Sequence, residues 1–134
     1  MKHYVLDTSV IVKWFSEEKG SEKAGAILQQ LQNQKVEILM PELVKYELAN
    51  AFLKGKKLAG REAEVALETF YNLPLLFTAE TPESAKLTYV LAEKLNISYY
   101  DACFLALAKI QKATLITANP KHQKKIKGIK VIIL

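Results

Sequence analysis

The chain has 134 residues, of which 50% are hydrophobic, and its 19 Lys and Arg outnumber its 14 Asp and Glu, so the net charge of +5 favours polyanionic partners. This length and composition exclude a disordered chain and predict one globular domain over residues 1–134. The longest apolar run, residues 102–108, is too short for a membrane span of about 20 residues, and Asp7 interrupts the amino-terminal apolar stretch, so we expect a cytoplasmic protein without membrane contact.

Short β-branched or aromatic segments alternate with helical apolar spacing along the chain. The predicted strands cover residues 3–6, 36–40, 75–77, 114–117 and 130–134. The predicted helices cover residues 10–15, 21–34, 41–54, 61–71, 82–95 and 101–112, with Pro41 opening the third and Thr81 capping the fifth. This alternation predicts the α/β class, with a central, mostly parallel sheet of about five strands between two layers of helices.

Polar residues follow the strands at positions where α/β proteins bind ligands, beyond the carboxyl ends of the sheet. Asp7 follows the first strand, Asn119 comes shortly after the fourth, and Asp101 stands before an apolar helix that we expect to be buried. Each aspartate taken alone is also explained as a helix cap.

Glu47 lies in the apolar stripe of its predicted helix, between Val44 and Ala51 and next to Leu48. Burying an unpaired carboxylate is costly. The residue therefore either pairs with a Lys or Arg or faces a polar cleft where a cation meets it.

The three acids Asp7, Glu47 and Asp101 are distant in the chain but are each expected at or facing the same edge of the sheet. Converging carboxylates repel one another, and a hard divalent cation such as Mg²⁺ or Mn²⁺ removes that repulsion. His3 and His122 stand alone, so no His/Cys cluster for zinc is present in the sequence.

Four segments together resemble a known family. They are Val5-Leu6-Asp7-Thr8-Ser9-Val10, residues 41–51 from Pro41 to Ala51, residues 100–108 from Tyr100 to Ala108, and Leu115-Ile116-Thr117-Ala118-Asn119. Their order and spacing, which cover nearly the whole chain, are similar to the PIN domain and most closely to the VapC-type toxins of toxin–antitoxin pairs.

The resemblance implies a PIN-like three-layer α/β/α sandwich and a Mg²⁺- or Mn²⁺-dependent ribonuclease. The family's acidic metal-site residues carry over onto Asp7, Glu47 and Asp101. Thr8 or Ser9, and Thr117, match hydroxyl positions near that site. The resemblance also implies a homodimer, RNA as the substrate, and a cognate antitoxin protein that occupies the cleft.

Asn119 departs from the family pattern, because many relatives have a fourth acid there. An amide oxygen still ligates a metal or its water but brings no charge, so both one-metal and two-metal sites remain open. The alternative is a catalytically weak or inactive PIN-like module that binds RNA or protein. Receiver domains and haloacid-dehalogenase-type phosphotransferases are disfavoured, because Thr8 and Ser9 stand where those families have further acids.

The working hypothesis is metal-assisted hydrolysis of an RNA phosphodiester. Asp7 and Asp101 would hold the ion, and Glu47 would bind it through water or orient the attacking water. Thr117 and Asn119 would position water or phosphate by hydrogen bonds.

Basic residues near the carboxyl end of the chain are candidates for RNA contacts, unless they form only a solvated surface. They are Lys121, Lys124, Lys125 and Lys127, with Lys54, Lys56 and Lys57 as a second candidate patch.

Overall fold

A computed structural model describes residues 1–55, 58–119 and 126–134 of the chain. Its strands are β1 (Lys2–Leu6), β2 (Val36–Pro41), β3 (Leu76–Thr78), β4 (Thr114–Thr117) and β5 (Val131–Ile133). Its helices are α1 (Thr8–Ile11), α2 (Ser21–Gln32), α3 (Leu43–Gly55), α4 (Arg61–Tyr71), α5 (Pro82–Leu95) and α6 (Tyr99–Gln111), and one 3₁₀ turn (Val12–Trp14) follows α1.

The sheet has five strands in the order β3-β2-β1-β4-β5, and every neighbouring pair is parallel. This confirms the predicted parallel α/β architecture. The chain builds β2 and β3 outward from one side of β1, then returns to add β4 and β5 on the other side. The direction of winding therefore reverses between β1 and β4, and this switch point is where open parallel sheets bind their ligands.

Helices bury the carboxyl-terminal three residues of β1 and most of β2 and β4, as expected for the central strands of a parallel sheet. In β1 and β4, residues such as Val5, Leu6 and Leu115 are fully buried. Helix α6 contacts β1, β2 and β4 and packs on α5, whereas α1, α2 and α3 form the other group of helices against the sheet. The predicted buried helix is confirmed: α6 buries Ala102 and every residue from Phe104 to Ala108.

Two of the element boundaries that differ from the sequence prediction lie close to the predicted site residues. Pro41 ends β2, in register with Thr78 of β3, rather than opening the next helix, which begins at Leu43. Helix α6 begins at Tyr99 because Ser98 caps it: the Ser98 side chain accepts a hydrogen bond from the backbone N–H of Asp101 at 3.0 Å. Asp101 is therefore not the cap of this helix but the third residue of its first turn.

None of the helices in the described part of the chain has the length and apolar character that crossing a membrane requires.

Candidate active site

Asp7 lies at the switch point, directly after β1. Its backbone N–H donates to the carbonyl of Ile116 in β4 at 3.3 Å, and its side chain caps α1 by accepting from the N–H of Ser9 at 3.1 Å. Only 4% of Asp7 is exposed. The hydroxyl of Ser9 donates to Oδ1 and the hydroxyl of Thr117 donates to Oδ2. The buried carboxylate is thus hydrogen-bonded from two sides.

The same two hydroxyls tie the ends of β1 and β4 together. Ser9 Oγ accepts from the N–H of Ala118 at 3.0 Å, and Thr117 Oγ1 accepts from the N–H of Asn119 at 2.8 Å. Thr117 is fully buried. Each hydroxyl both donates to Asp7 and accepts from the loop after β4, so the two hydroxyls link the Asp7 carboxylate to the backbone of that loop.

Glu47 faces the site from α3, and the hydroxyl of Thr8 donates to its Oε1 at 2.6 Å. No ion pair of Glu47 with a Lys or Arg is found among residues 1–55, 58–119 and 126–134, so the structure offers no support for the ion-pair alternative. Burial raises the pKa of the Glu47 carboxyl, the Thr8 hydrogen bond partly opposes this, and the charges of Asp101 and Asp7 raise it further.

Asp101 lies in the first turn of α6 and is partly buried. Because its charge acts on Glu47 together with that of Asp7, the three carboxylates share one electrostatic neighbourhood, which we call the acid cluster. The described residues contain no group of three or more Asp, Glu, His or Cys side chains close enough to hold a metal ion between them. The donors fit Mg²⁺ or Mn²⁺ in chemistry, since Mg²⁺ keeps several waters and uses only one or two carboxylates directly.

Most of the lysines that were predicted to contact RNA lie outside the residues that the structure describes. Lys127 is exposed between Ile126 and Ile129, which form an isolated bridge, and Lys54 is exposed near the end of α3. Residues Lys56, Lys57, Lys121, Lys124, Lys125 and His122 lie outside the described residues. His3 pairs with Glu37 at 3.1 Å across β1 and β2, near the start of the sheet and away from the acid cluster.

Glu80, Tyr99 and Tyr100 are site neighbours that the sequence reasoning missed. Glu80 follows β3 and accepts a hydrogen bond from the hydroxyl of Tyr99, which raises the pKa of Tyr99 to about 12. Two signals for them were available. Glu80 follows a strand end just as Asp7 does, and Ser98 followed three residues later by Asp101 is a helix-start pattern that places the two tyrosines in the first turn.

The PIN domain family matches residues 4–128 of the sequence. Among solved structures, the fold is similar to a chain of VapBC2 from Rickettsia felis bound to a promoter DNA fragment, with 20% identity, a TM-score of 0.75 and 98% of each chain covered. It is also similar to DNA-bound VapBC from Salmonella typhimurium, with 15% identity, a TM-score of 0.69, and 99% of this chain and 98% of that chain covered.

A third similar structure is VapC20 of Mycobacterium tuberculosis, a toxin that cleaves the Sarcin-Ricin loop. The identity is 12%, the TM-score is 0.65, and 86% of this chain and 87% of that chain are covered. No curated relative matches the sequence at a significant level. At these identities the likeness concerns the fold.

Proposed function

Because the chain belongs to the PIN domain family, we propose that it is a metal-dependent endoribonuclease that acts as the toxin of a toxin–antitoxin pair in the cytoplasm. The observation that carries this proposal is the acid cluster. Asp7 is fixed at the switch point of the sheet, and the charges of Asp7 and Asp101 both act on Glu47. Carboxylates gathered at such an edge are suited to phosphodiester hydrolysis with a divalent ion.

RNA is the proposed substrate, and an antitoxin protein and a second copy of the chain are the proposed partners. VapC20, which has the same fold, cleaves the Sarcin-Ricin loop, and the similar structures from Rickettsia and Salmonella are VapBC complexes. The excess of basic residues, with Lys127 and the neighbouring Lys121, Lys124 and Lys125, supports contacts to RNA phosphates.

Asp7, Glu47 and Asp101 would hold the ion, Mg²⁺ or Mn²⁺, partly through water. When bound, the ion stabilises charge on the phosphoryl oxygens and lowers the pKa of a bound water. The chain's own groups supply the orientation. Asp7 is held still by the hydroxyls of Ser9 and Thr117.

The Thr8 hydrogen bond fixes Oε1 of Glu47, so its other oxygen is available to accept a hydrogen bond from the attacking water and orient it. Thr117 and Asn119 sit together in the loop after β4, joined by the 2.8 Å hydrogen bond from the Asn119 N–H. The Asn119 side chain is the proposed group that positions water or phosphate.

Asp7→Asn tests the proposal, measured as cleavage of single-stranded RNA with Mg²⁺ or Mn²⁺. The substitution keeps the shape and hydrogen-bond acceptance of one oxygen but removes the charge, so we expect cleavage to fall at least about a hundredfold, as for loss of several kcal/mol of charge stabilisation. Glu93→Gln, an exposed charge change on α5, serves as the control. Equal cleavage by Asp7→Asn and the parent protein would show that the proposal is wrong.

A second candidate is a PIN domain that binds RNA or protein without cleaving it. Asn119 favours this candidate, because it removes one charge from the loop after β4. Calorimetric titration with Mg²⁺ separates the two. The nuclease binds the ion and loses binding in Asp7→Asn, whereas a pure binding module gives no heat of metal binding in either protein.

A further inference from the structure

A cavity of about 420 Å³ opens at the carboxyl ends of β2 and β3. Its walls come from those strand ends, the residues after β3, and parts of α3, α5 and α6. We call it the strand-end pocket, and its defining residues are Pro41, Leu43, Thr78, Glu80, Tyr100 and Cys103. The volume falls within the range of about 300–1,000 Å³ that is typical of small-molecule sites.

The strand-end pocket adjoins the acid cluster. Tyr100 directly precedes Asp101, and Leu43 lies one turn before Glu47 on α3. Burial, together with the charges of Glu80 and Glu47, raises the pKa of the Cys103 thiol to about 11. Cys103 therefore lies within electrostatic reach of both the pocket's carboxylate and the acid cluster. The two features are neighbouring parts of one cleft.

The lining of the pocket discriminates against phosphate. Its apolar part includes Leu43, Leu107 and Ile110, and its charged side chains are Glu42, Glu80 and Glu83. Within the described part of the chain, no Lys, Arg or His lines the pocket. Glu42 is paired with Lys45 at 2.8 Å, so the carboxylates of Glu80 and Glu83 are the ones that would repel a phosphate group. An uncharged planar group with N–H donors would instead find apolar walls and carboxylate acceptors.

Two side chains are suited to hold a nucleobase. Tyr100 is 60% exposed, so its ring is available for base stacking, which every base supports through its π-face. The Glu80 carboxylate only accepts hydrogen bonds, and it has about four lone-pair sites, so the bond from Tyr99 leaves room for two more donors. Guanine presents two adjacent N–H groups on its pairing edge, which match a carboxylate.

We propose that the strand-end pocket receives an unpaired nucleobase of the RNA beside the phosphodiester at the acid cluster, with Tyr100 stacking on the base and Glu80 accepting its N–H groups. This inference rests on the proposed ribonuclease function and adds the base preference to it. Guanine is the favoured base, and uracil, which lacks an amino group, is the least favoured.

The first experiment measures binding without cleavage, using guanosine and uridine, which carry no phosphate, and following amide chemical shifts by NMR in the absence of divalent ions. We expect guanosine to bind more tightly than uridine, and Tyr100→Ala to weaken guanosine binding about tenfold. Tyr89→Ala is the matched control, because Tyr89 is 61% exposed on α5 and does not line the pocket. Equal binding of the two nucleosides, or equal losses in the two variants, would overturn the proposal.

The second experiment sequences the products of cleavage of a random RNA pool. Glu80→Gln should reduce the excess of guanosine beside the cut severalfold, because an amide offers only one acceptor and places a donor against the base. Glu93→Gln should leave that excess unchanged.

Different results would overturn the base pocket and the nuclease. If Glu80→Gln, Tyr100→Ala and the parent protein all cleave RNA with the same base preference, the proposal that the pocket binds a base is wrong and the nuclease proposal stands. If the protein binds guanosine, Tyr100→Ala weakens that binding, and no RNA is cleaved, the base pocket is supported and the nuclease proposal is wrong. If the variants instead convert a dimer to a monomer in sedimentation with base preference unchanged, the pocket is a protein contact and the proposal is wrong.

Discussion

The two sides of the acid cluster are built differently. On the strand side, Asp7 is 4% exposed and is held by hydroxyls from Ser9 and Thr117. On the helix side, Glu47 and Asp101 project from α3 and α6 and are partly exposed, and Glu47 has one hydrogen bond, from Thr8. The strand side is therefore a preorganised framework, whereas on the helix side the charges of Asp101 and Asp7 act against ionisation of Glu47.

Thr117→Val is expected to give the largest effect on stability, because it removes a hydroxyl that holds Asp7 on the strand side of the acid cluster. The substitution keeps the shape but leaves Asp7 Oδ2 and the N–H of Asn119 without their buried partner. We expect the free energy of unfolding to fall by about 3 kcal/mol, measured by urea denaturation.

Thr88→Val is the matched control for that measurement. Thr88 is also buried, at 2% exposure, but its hydroxyl donates to the carbonyl of Ser84 within the same helix. The expected loss is below about 1 kcal/mol. Equal losses in the two variants would contradict a special role for the Asp7 framework.

Thr8→Val removes the donor from Glu47 and should cost about 1 kcal/mol of stability. Because the Thr8 hydrogen bond lowers the Glu47 pKa against the effect of burial, its loss should move that pKa further upward. An NMR titration of the Glu47 carboxyl carbon measures this. A pKa that stays unchanged or moves downward would show that the hydrogen bond does not act on Glu47 in solution.

Glu47→Gln is expected to have the smallest effect on stability and to stabilise the protein rather than destabilise it. The folded protein holds the Glu47 pKa above its usual 4.5, so ionisation of this residue costs stability. That cost is fully present above the raised pKa and disappears below pH about 4.5, where the carboxyl is neutral in both folded and unfolded states. The metal-free variant should therefore be more stable than the parent by about 0.5 kcal/mol at pH 7, and equal to it in acid.

Calorimetric melting at the two pH values provides the measurement, with Glu93→Gln as the control at an exposed position. Added Mg²⁺ should stabilise the parent more than Glu47→Gln, and so reduce or reverse the variant's advantage at pH 7. A variant that is less stable at neutral pH would contradict the prediction that ionisation of Glu47 destabilises the folded protein.

The sequence predicted the strand side of the cluster better than the helix side. Asp7 is found by a local rule, because it follows an apolar strand and parallel strands end at one edge of the sheet. Thr117, at the end of β4, was identified only through the family resemblance. The hydrogen-bond donor of Glu47 could not be predicted from the sequence. Thr8 and Ser9 are adjacent in the chain, yet Thr8 donates to Glu47 and Ser9 donates to Asp7. Only the packing of α1 against α3 determines which hydroxyl reaches which acid.

The strand-end pocket was also beyond sequence reasoning. It exists because α3, α5 and α6 meet beyond the ends of β2 and β3, so it depends on the packing of distant elements rather than on any local pattern. The start of α6, in contrast, was predictable and was missed. Ser98 was overlooked as the cap because Asp101 is itself a common capping residue, and this moved the predicted helix start by two residues.

The bond between Thr117 and Asp7 joins positions 110 residues apart. Contacts of such long sequence separation form late in folding, because the entropy of closing the intervening chain must be overcome first. On the ribosome, Asp7 emerges long before the strand that completes its surroundings. A partly synthesised chain therefore carries the acids but not their framework, and the proposed activity is acquired only after β4 has been synthesised and has paired with β1.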